Sequence, residues 1–159
     1  MLLIEIVVLC TVFFILCVLG TGTDEKNLKN YMSYPDEVQK RIKNIEEYQG
    51  KFKESSKISA FIANFLFFSI LFLPFGIIIR KTYFIHNFIS LLILGESLNI
   101  FDFIIIDLLW WRNTNRIRFS KIPQKSLYHD PKKHIESFLR AIFMYIFVAI
   151  IDGYLLTLF

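Results

Sequence analysis

The stretch FISLLILGESLNIFDFIIIDLLWW, residues 88–111, decides the fold class. At about 1.5 Å per residue it is long enough to cross the ~30 Å hydrocarbon core of a bilayer. It ends in two tryptophans followed by an arginine, which is typical of a membrane–water interface. Similar apolar runs occupy residues 2–19, 58–79 and 141–159. The pattern predicts an all-α polytopic membrane protein, a four-transmembrane-helix bundle forming a single membrane domain over residues 1–159.

The composition agrees with a membrane protein. Hydrophobic residues make up 55% of the chain, and phenylalanine occurs 18 times among 159 residues. These residues are concentrated in runs instead of on one helix face, which excludes a soluble domain of this size. The net charge is +4, but the basic residues flank the apolar runs. We therefore expect the lipid bilayer as a partner, and no nucleic acid.

The first apolar run is predicted to remain in the protein as a helix. Glu5 is its only early charge, and the run lacks the basic start and small-residue cleavage site of a signal peptide. Cys10 and Cys17 lie seven residues apart within it, too far to bridge along a straight helix. We interpret both as packing residues.

Charge counting predicts the orientation. The loop of residues 21–57 carries eight Lys and Arg, the loop of residues 112–135 carries seven, and the hairpin of residues 80–87 carries two. Basic loops stay on the cytoplasmic side of a membrane. Both long loops are therefore predicted to be cytoplasmic and both termini to lie outside, in a multi-pass protein of the plasma membrane.

The first long loop contains a predicted amphipathic helix over residues 34–49. Ser33 is the expected N-cap, Pro35 stands at its start and Gly50 ends it. The apolar residues at helical spacing are Val38, Ile42, Ile45 and Tyr48. Two interpretations stay open: the helix lies on the membrane surface or on the spans, or it docks a soluble partner.

The predicted spans contain five acids and no Lys or Arg. The acids are Glu5, Glu96, Asp102, Asp107 and Asp152. A carboxylate in mid-membrane costs several kcal/mol unless it is protonated, paired or hydrated. Because the spans offer no cation to pair with, these acids predict a site for a proton or a cation.

Counting from the predicted span ends places Glu96 ~12 Å and Asp152 ~10 Å below the outer face. The two acids are therefore predicted to lie at one level on antiparallel spans, as the core of an ion-binding site. At about 100° per residue, Asn99 and Asp107 share the face of Glu96, whereas Asp102 points about 120° away. Glu5 and Asp102 are secondary candidates, because Glu5 can reach water and Asp102 can bond a neighbouring helix.

A second group of candidates lies at the cytoplasmic end. Arg112, His129 and His134 follow Asp107 along the chain. An enzyme acting on a lipid phosphate needs basic groups at the interface and an acid or histidine for proton transfer. The histidines are five residues apart, which is not the spacing of two ligands on one helix face. The sequence predicts no metal site and indicates no cofactor, since it holds no phosphate-binding loop, dinucleotide fingerprint or HExxH motif.

Four stretches resemble a known group of proteins. They are YPDEVQKR (34–41), LLILGESLN (91–99), DLLWWR (107–112) and DPKKHIES (130–137). They are similar to small four-span bacterial integral membrane proteins of uncharacterised function, some of which are labelled permeases. The resemblance covers essentially the whole chain. It implies a four-span fold and a permease-type role.

These observations favour a transport-type membrane protein or permease subunit that handles a cation, a proton or a small solute. Four spans make a thin wall around a pathway, so we expect a homo-oligomer or a larger membrane complex. One alternative is a membrane-embedded enzyme acting on a lipid or isoprenoid headgroup at the cytoplasmic face. Another is an accessory or assembly subunit whose amphipathic helix recruits a partner.

The orientation can be tested by labelling introduced cysteines. A cysteine at Tyr83 should react with an impermeant reagent in intact cells, and a cysteine at Gln124 should react only after permeabilisation. The reverse pattern would overturn the orientation.

Overall fold

The computed structural model describes residues 1–158. They are all-α, and the predicted four-helix bundle is confirmed, with 75% of the residues helical and no strand over this range. The α-helices are α1 (Leu2–Leu19), α2 (Asp24–Lys29), α3 (Asp36–Lys43), α4 (Lys57–Ile79), α5 (Phe84–Phe101) and α6 (Lys132–Leu155). A π-helical segment, Asp102–Trp111, continues α5, and short 3₁₀ helices cover Tyr31–Ser33, Glu46–Tyr48 and Lys125–Tyr128.

Four elements are long and apolar enough to cross a membrane. They are Leu2–Leu19, Lys57–Ile79, Phe84–Trp111 and Lys125–Leu155. Large apolar side chains on them are exposed; Leu3 is 73%, Ile70 70% and Phe143 65% exposed. Apolar surface of this extent is unfavourable in water and suited to lipid. The chain is a multi-pass membrane protein.

Two helix ends differ from the prediction. Helix α5 begins at Phe84, before the predicted start at residue 88, and α6 ends at Leu155 instead of at residue 159. The last position predicted for the fourth span, Phe159, lies outside the described residues. Asp130 caps α6, because its Oδ1 accepts from the backbone N–H of Lys132 at 3.0 Å. The shifted ends change the depths of the acids, as described below.

The chain divides into two compact units. The first consists of Met1–Thr11, Ser56–Phe101 and the described part of Phe138–Phe159. Glycines let its helices approach closely: a Cβ atom built on Gly95 would lie 2.9 Å from the Tyr145 ring, and one on Gly153 would lie 3.1 Å from the backbone N of Phe88. Small residues at such contacts are typical of helix pairs in membranes.

The second unit consists of Val12–Ser55 and Asp102–Ser137. Its two loops share an apolar core made of Leu28, Tyr31, Tyr34, Val38, Ile42, Tyr48, Trp111, Ile117, Phe119, Ile122 and Tyr128. The Tyr34 hydroxyl donates to the Ile117 carbonyl at 2.8 Å, so one loop is bonded to the other inside this core. The loops form a folded body and not two flexible connections.

The same unit closes the C-terminal end of α1. The Arg116 guanidinium donates from Nη2 to the carbonyls of Val18, at 2.9 Å, and Thr21, at 3.1 Å. Helix C-termini leave carbonyls without partners, and a cation satisfies them and opposes the negative end of the helix dipole. Gly22 follows with φ +108°, and a Cβ atom there would lie 2.8 Å from Arg116 Nη2. Only glycine fits this position without strain.

The predicted amphipathic helix is shorter than expected, and its environment is different. Helix α3 ends at Lys43, a separate 3₁₀ turn follows, and Ser33 makes no cap because it belongs to the preceding 3₁₀ turn. Val38 and Ile42 are 0% exposed. Their stripe is therefore covered by the chain itself. The stripe is not free to face the membrane surface or a soluble partner, because it shares one core with Ile117 and Phe119 of the second loop and with Trp111 at the end of a span.

Replacing Val38 or Ile42 by aspartate should unfold the loop core. An ionised carboxylate in this core has no partner, so we expect a loss of at least about 3 kcal/mol. Hydrogen exchange of residues 24–48 in the purified protein measures it. The control is Lys40→Asp, which puts the same acid on the exposed side of α3 and should cost at most about 1 kcal/mol. Equal protection from hydrogen exchange in all three variants would contradict the burial of Val38 and Ile42.

Asp24 fastens the two loops at another point. Its Oδ1 accepts from the Ser120 N–H at 2.9 Å, and its Oδ2 accepts from the Ser120 hydroxyl at 2.5 Å and from the Tyr48 hydroxyl. Burial alone would raise the pKa of Asp24, but the bonds from Ser120 and Tyr48 outweigh it and hold that pKa below its ordinary value of 3.8.

A lowered folded-state pKa makes the loop contact sensitive to acid. The carboxylate of Asp24 contributes its full stability above about pH 4, and this stability is lost as the pH falls through the lowered folded value. The rate of hydrogen exchange at the Ser120 backbone amide, corrected for the intrinsic pH dependence of exchange, should therefore increase at low pH. Asp24→Asn should remove that acid dependence, whereas the exposed neighbour substitution Glu25→Gln should keep it. If the pH dependence of exchange were unchanged in Asp24→Asn, protonation of Asp24 would not be its cause.

Candidate functional site

The π-helical segment changes which acids share a face. In an α-helix, residues five apart are separated by about 140° around the axis. In a π-helix the backbone bonds join residues five apart, which brings such residues close together around the axis. Asp102 and Asp107 both lie within the ten-residue segment Asp102–Trp111. They therefore share one face, and the two carboxylates lie close enough to interact electrostatically.

Asp107 is joined to a histidine of α6. Its Oδ1 lies 2.9 Å from His134 Nδ1, and the exposed fractions of the two side chains are only 14% and 6%. The Trp111 ring meets the His134 ring edge to face, with centroids 5.3 Å apart. The carboxylate fixes the orientation of the imidazole and favours a proton on Nδ1, as in other acid–histidine pairs.

The second ring nitrogen of this histidine, Nε2, is not engaged by Asp107. His134 Nε2 is buried and has no hydrogen-bond partner within residues 1–158, and the same holds for Trp111 Nε1. A buried polar atom without a partner is rare in folded proteins and marks either strain or a place for a ligand, a water or a proton. The Cys17 thiol of α1 lies within electrostatic range of both Asp102 and Asp107. We call Asp102, Asp107 and His134 the acid–histidine site.

Other predicted site residues belong to the first unit. The Asn99 amide donates from Nδ2 to Glu96 Oε2 at 3.2 Å and to the Phe138 carbonyl of α6 at 3.3 Å. Glu96 Oε1 has no partner over the described range. Asp152 is 1% exposed and Glu5 7% exposed, so both carboxyl groups lie inside and not in the lipid-facing surface.

The predicted common level of Glu96 and Asp152 is wrong. Gly95 packs on Tyr145, whereas Gly153 packs on Phe88. Glu96 is thus level with Tyr145, and Asp152 lies seven residues, or about 10 Å, further along α6.

The cause of this error is the pair of shifted helix ends. Glu96 lies twelve residues after the start of α5 at Phe84, which corresponds to about 18 Å. Asp152 lies three residues before the end of α6 at Leu155, which corresponds to about 5 Å. The prediction that Asp102 stands apart from Asp107 is also wrong, because it assumed an α-helix throughout.

The remaining candidates have separate places. His129 is exposed at the end of the Lys125–Tyr128 turn, and Arg112 is partly buried. Arg116, a further basic residue beside Arg112, is engaged with the end of α1. Over residues 1–158 no cluster of three or more His, Cys, Asp or Glu side chains could hold a metal ion.

Two participants were not predicted. Ser69 of α4 interacts with the Asp152 carboxylate, and Cys17 lies near the acid–histidine site. No sequence signal identifies Ser69, since it is one serine in an apolar run and its role depends on how α4 pairs with α6. Cys17 carries a weak signal, as a polarisable residue one turn from the end of the first span.

No family model matches this chain, and neither the curated proteins nor the solved structures include a significant match.

Proposed function

We propose that this protein is a transport-type membrane protein that moves protons, with the acid–histidine site as its proton-transfer group. The observation that carries the proposal is the 2.9 Å contact of Asp107 with His134 in a membrane-embedded element, with Asp102 on the same π-helical face. Chains of Asp, Glu and His inside membranes are typical of proton relays.

The chemistry of the three groups supports this role. A carboxyl group and an imidazole can each accept and donate a proton, so Asp102, Asp107 and His134 are all possible carriers. Asp107 orients the imidazole, and the unpartnered Nε2 of His134 can accept or release a proton. The two adjacent carboxylates repel each other when both are charged, which favours sharing one proton between them.

The orientation and assembly form part of the proposal. With both basic loops on the cytoplasmic side, the loop core is cytoplasmic and both termini lie outside the plasma membrane. The bilayer is one partner, and a homo-oligomer or larger complex would surround the pathway more completely than four helices. The accessory-subunit alternative loses its support, because the stripe expected to recruit a partner is buried.

A lipid-headgroup enzyme is the second candidate. An imidazole held by a carboxylate with its far nitrogen free is also what a general base requires. The engagement of Arg116 with α1 removes one of the basic groups that a phosphate would need. A proton-flux assay separates this candidate from the relay.

Proton flux should be measured in vesicles containing the purified protein and a trapped pH dye, with valinomycin to balance charge. Wild-type vesicles should take up protons faster than empty ones under an imposed gradient. Asp107→Asn and His134→Gln should each slow this uptake at least about tenfold, since a positioned proton-transfer group contributes ~10²–10⁴ to a rate. The matched control is Glu25→Gln, an exposed acid outside the spans, which should leave uptake unchanged.

Two results would overturn the proposal. Wild-type vesicles that are no faster than empty ones would exclude proton movement as the function. Rapid uptake that survives both substitutions would place the route elsewhere in the molecule.

A further inference from the structure

The Asp152 carboxyl is the most isolated acid in the first unit. It is 1% exposed, and neither Oδ1 nor Oδ2 has a hydrogen-bond partner within the described chain. The Ser69 hydroxyl of α4 lies close enough to interact, but it also completes no hydrogen bond of ordinary geometry over residues 1–158. A carboxylate left ionised in such surroundings would be strongly disfavoured.

The neighbours of Asp152 offer no charge to compensate it. On α5, the backbone of Phe88 packs on Gly153, the residue after Asp152. The Asn87 amide is already paired with the backbone of Lys81, at 2.8 Å in both directions. On α4, the facing polar group is Ser69. The causes that shift the Asp152 carboxyl include neither the buried Glu5 nor the half-buried Glu96.

We infer that Asp152 and Ser69 form a proton-binding site on α6 and α4, separate from the acid–histidine site. The proton makes Asp152 a neutral acid, which removes the cost of a buried charge. A serine hydroxyl accepts from the acid or donates to the carboxylate equally well, so Ser69 serves both protonation states. Three oxygens from two side chains are too few for a desolvated calcium ion, which takes about six to eight.

The position of the site suits exchange with water. Asp152 lies three residues before the end of α6, or about 5 Å along the axis. Gly76, near the end of α4, packs on Leu156, and Phe88, near the start of α5, packs on Gly153. Asp152 is therefore close to the end of the unit where the chain passes from α4 to α5. A proton at Asp152 has a short path to the aqueous phase.

A hydrophobic carbodiimide tests the inference. It reacts with a protonated carboxylic acid in apolar surroundings: the acid proton passes to one carbodiimide nitrogen, and the carboxyl oxygen bonds to the central carbon. The adduct then rearranges to a stable N-acylurea without a leaving group. The purified full-length protein in lipid nanodiscs should gain the mass of one reagent, and peptide mapping should locate it at Asp152.

The pH dependence distinguishes a site that exchanges its proton from a permanently neutral acid. Labelling of Asp152 should fall about tenfold for each pH unit above the titration of this carboxyl. Asp152→Asn should abolish this adduct. Glu96→Gln is the matched control and should retain it, because Glu96 already accepts from Asn99 and lies at another level.

The outcomes are decisive in either direction. No adduct at Asp152 in the wild type would show that the carboxyl is ionised or hydrated, and pH-independent labelling would show a structural acid that never releases its proton; either would overturn the inference. The result is read by mass alone and needs no transport, so the inference can fail while the acid–histidine proposal stands, and the reverse.

Discussion

An ionised carboxylate cannot remain without a partner in an apolar interior, and this constraint governs the arrangement of the spans. Three different solutions appear in the structure. Asp107 is placed against His134 at 2.9 Å. Glu96 accepts one bond from Asn99 and leaves its other oxygen free. Asp152 has the hydroxyl of Ser69 beside it. A core built for stability alone would replace such groups with apolar residues of similar volume, which are often equally or more stabilising.

The acid–histidine site depends on keeping the Asp102–Trp111 segment in the π form. Such helices are rare beyond a single turn because their backbone geometry is less favourable. The two tryptophans at the end of the segment are held by neighbours: Trp110 meets the Phe14 ring at 5.6 Å, and Trp111 is buried in the loop core. These contacts fix the rotation of the segment at its last turn. The aromatic pair that the sequence presents as an interface anchor therefore also supports the geometry of the site.

The fold was largely predictable, because the dominant signal is the length of uninterrupted apolar runs. The bounds of the first two spans agree with the structure almost to the residue, since charged or small residues mark them. The start of α5 was missed because Phe84, Ile85 and His86 give no clear boundary after Lys81. The end of α6 was missed because the apolar run continues past the last helical turn, where Leu156 and Thr157 form a turn.

The sequence predicted which residues belong to the site, but not how they pair. Asp107, Glu96 and Asp152 were selected by a general rule, namely that ionisable groups in spans are rare and costly. His134 was selected separately, as a proton-transfer candidate of the second long loop. Their pairing could not be derived, because it depends on helix register and on a π-helical segment that no residue pattern predicts. The interaction of the two long loops was missed for a similar reason. Tyr34 and Ile117 are far apart in sequence, and each alone resembles an ordinary apolar residue near a membrane surface.

The loop core has a consequence for how the spans are held. Arg116 closes the end of α1 with two bonds to backbone carbonyls, and Asn27 donates to the Arg116 carbonyl at 2.9 Å. The segment after α1 and the segment after the π helix are thus joined by the same residue. Since Trp111 contacts His134 and also belongs to this core, loss of the core would release one wall of the acid–histidine site. The loops are therefore part of the machinery that positions the imidazole, and a change in them can alter the site without touching any acid.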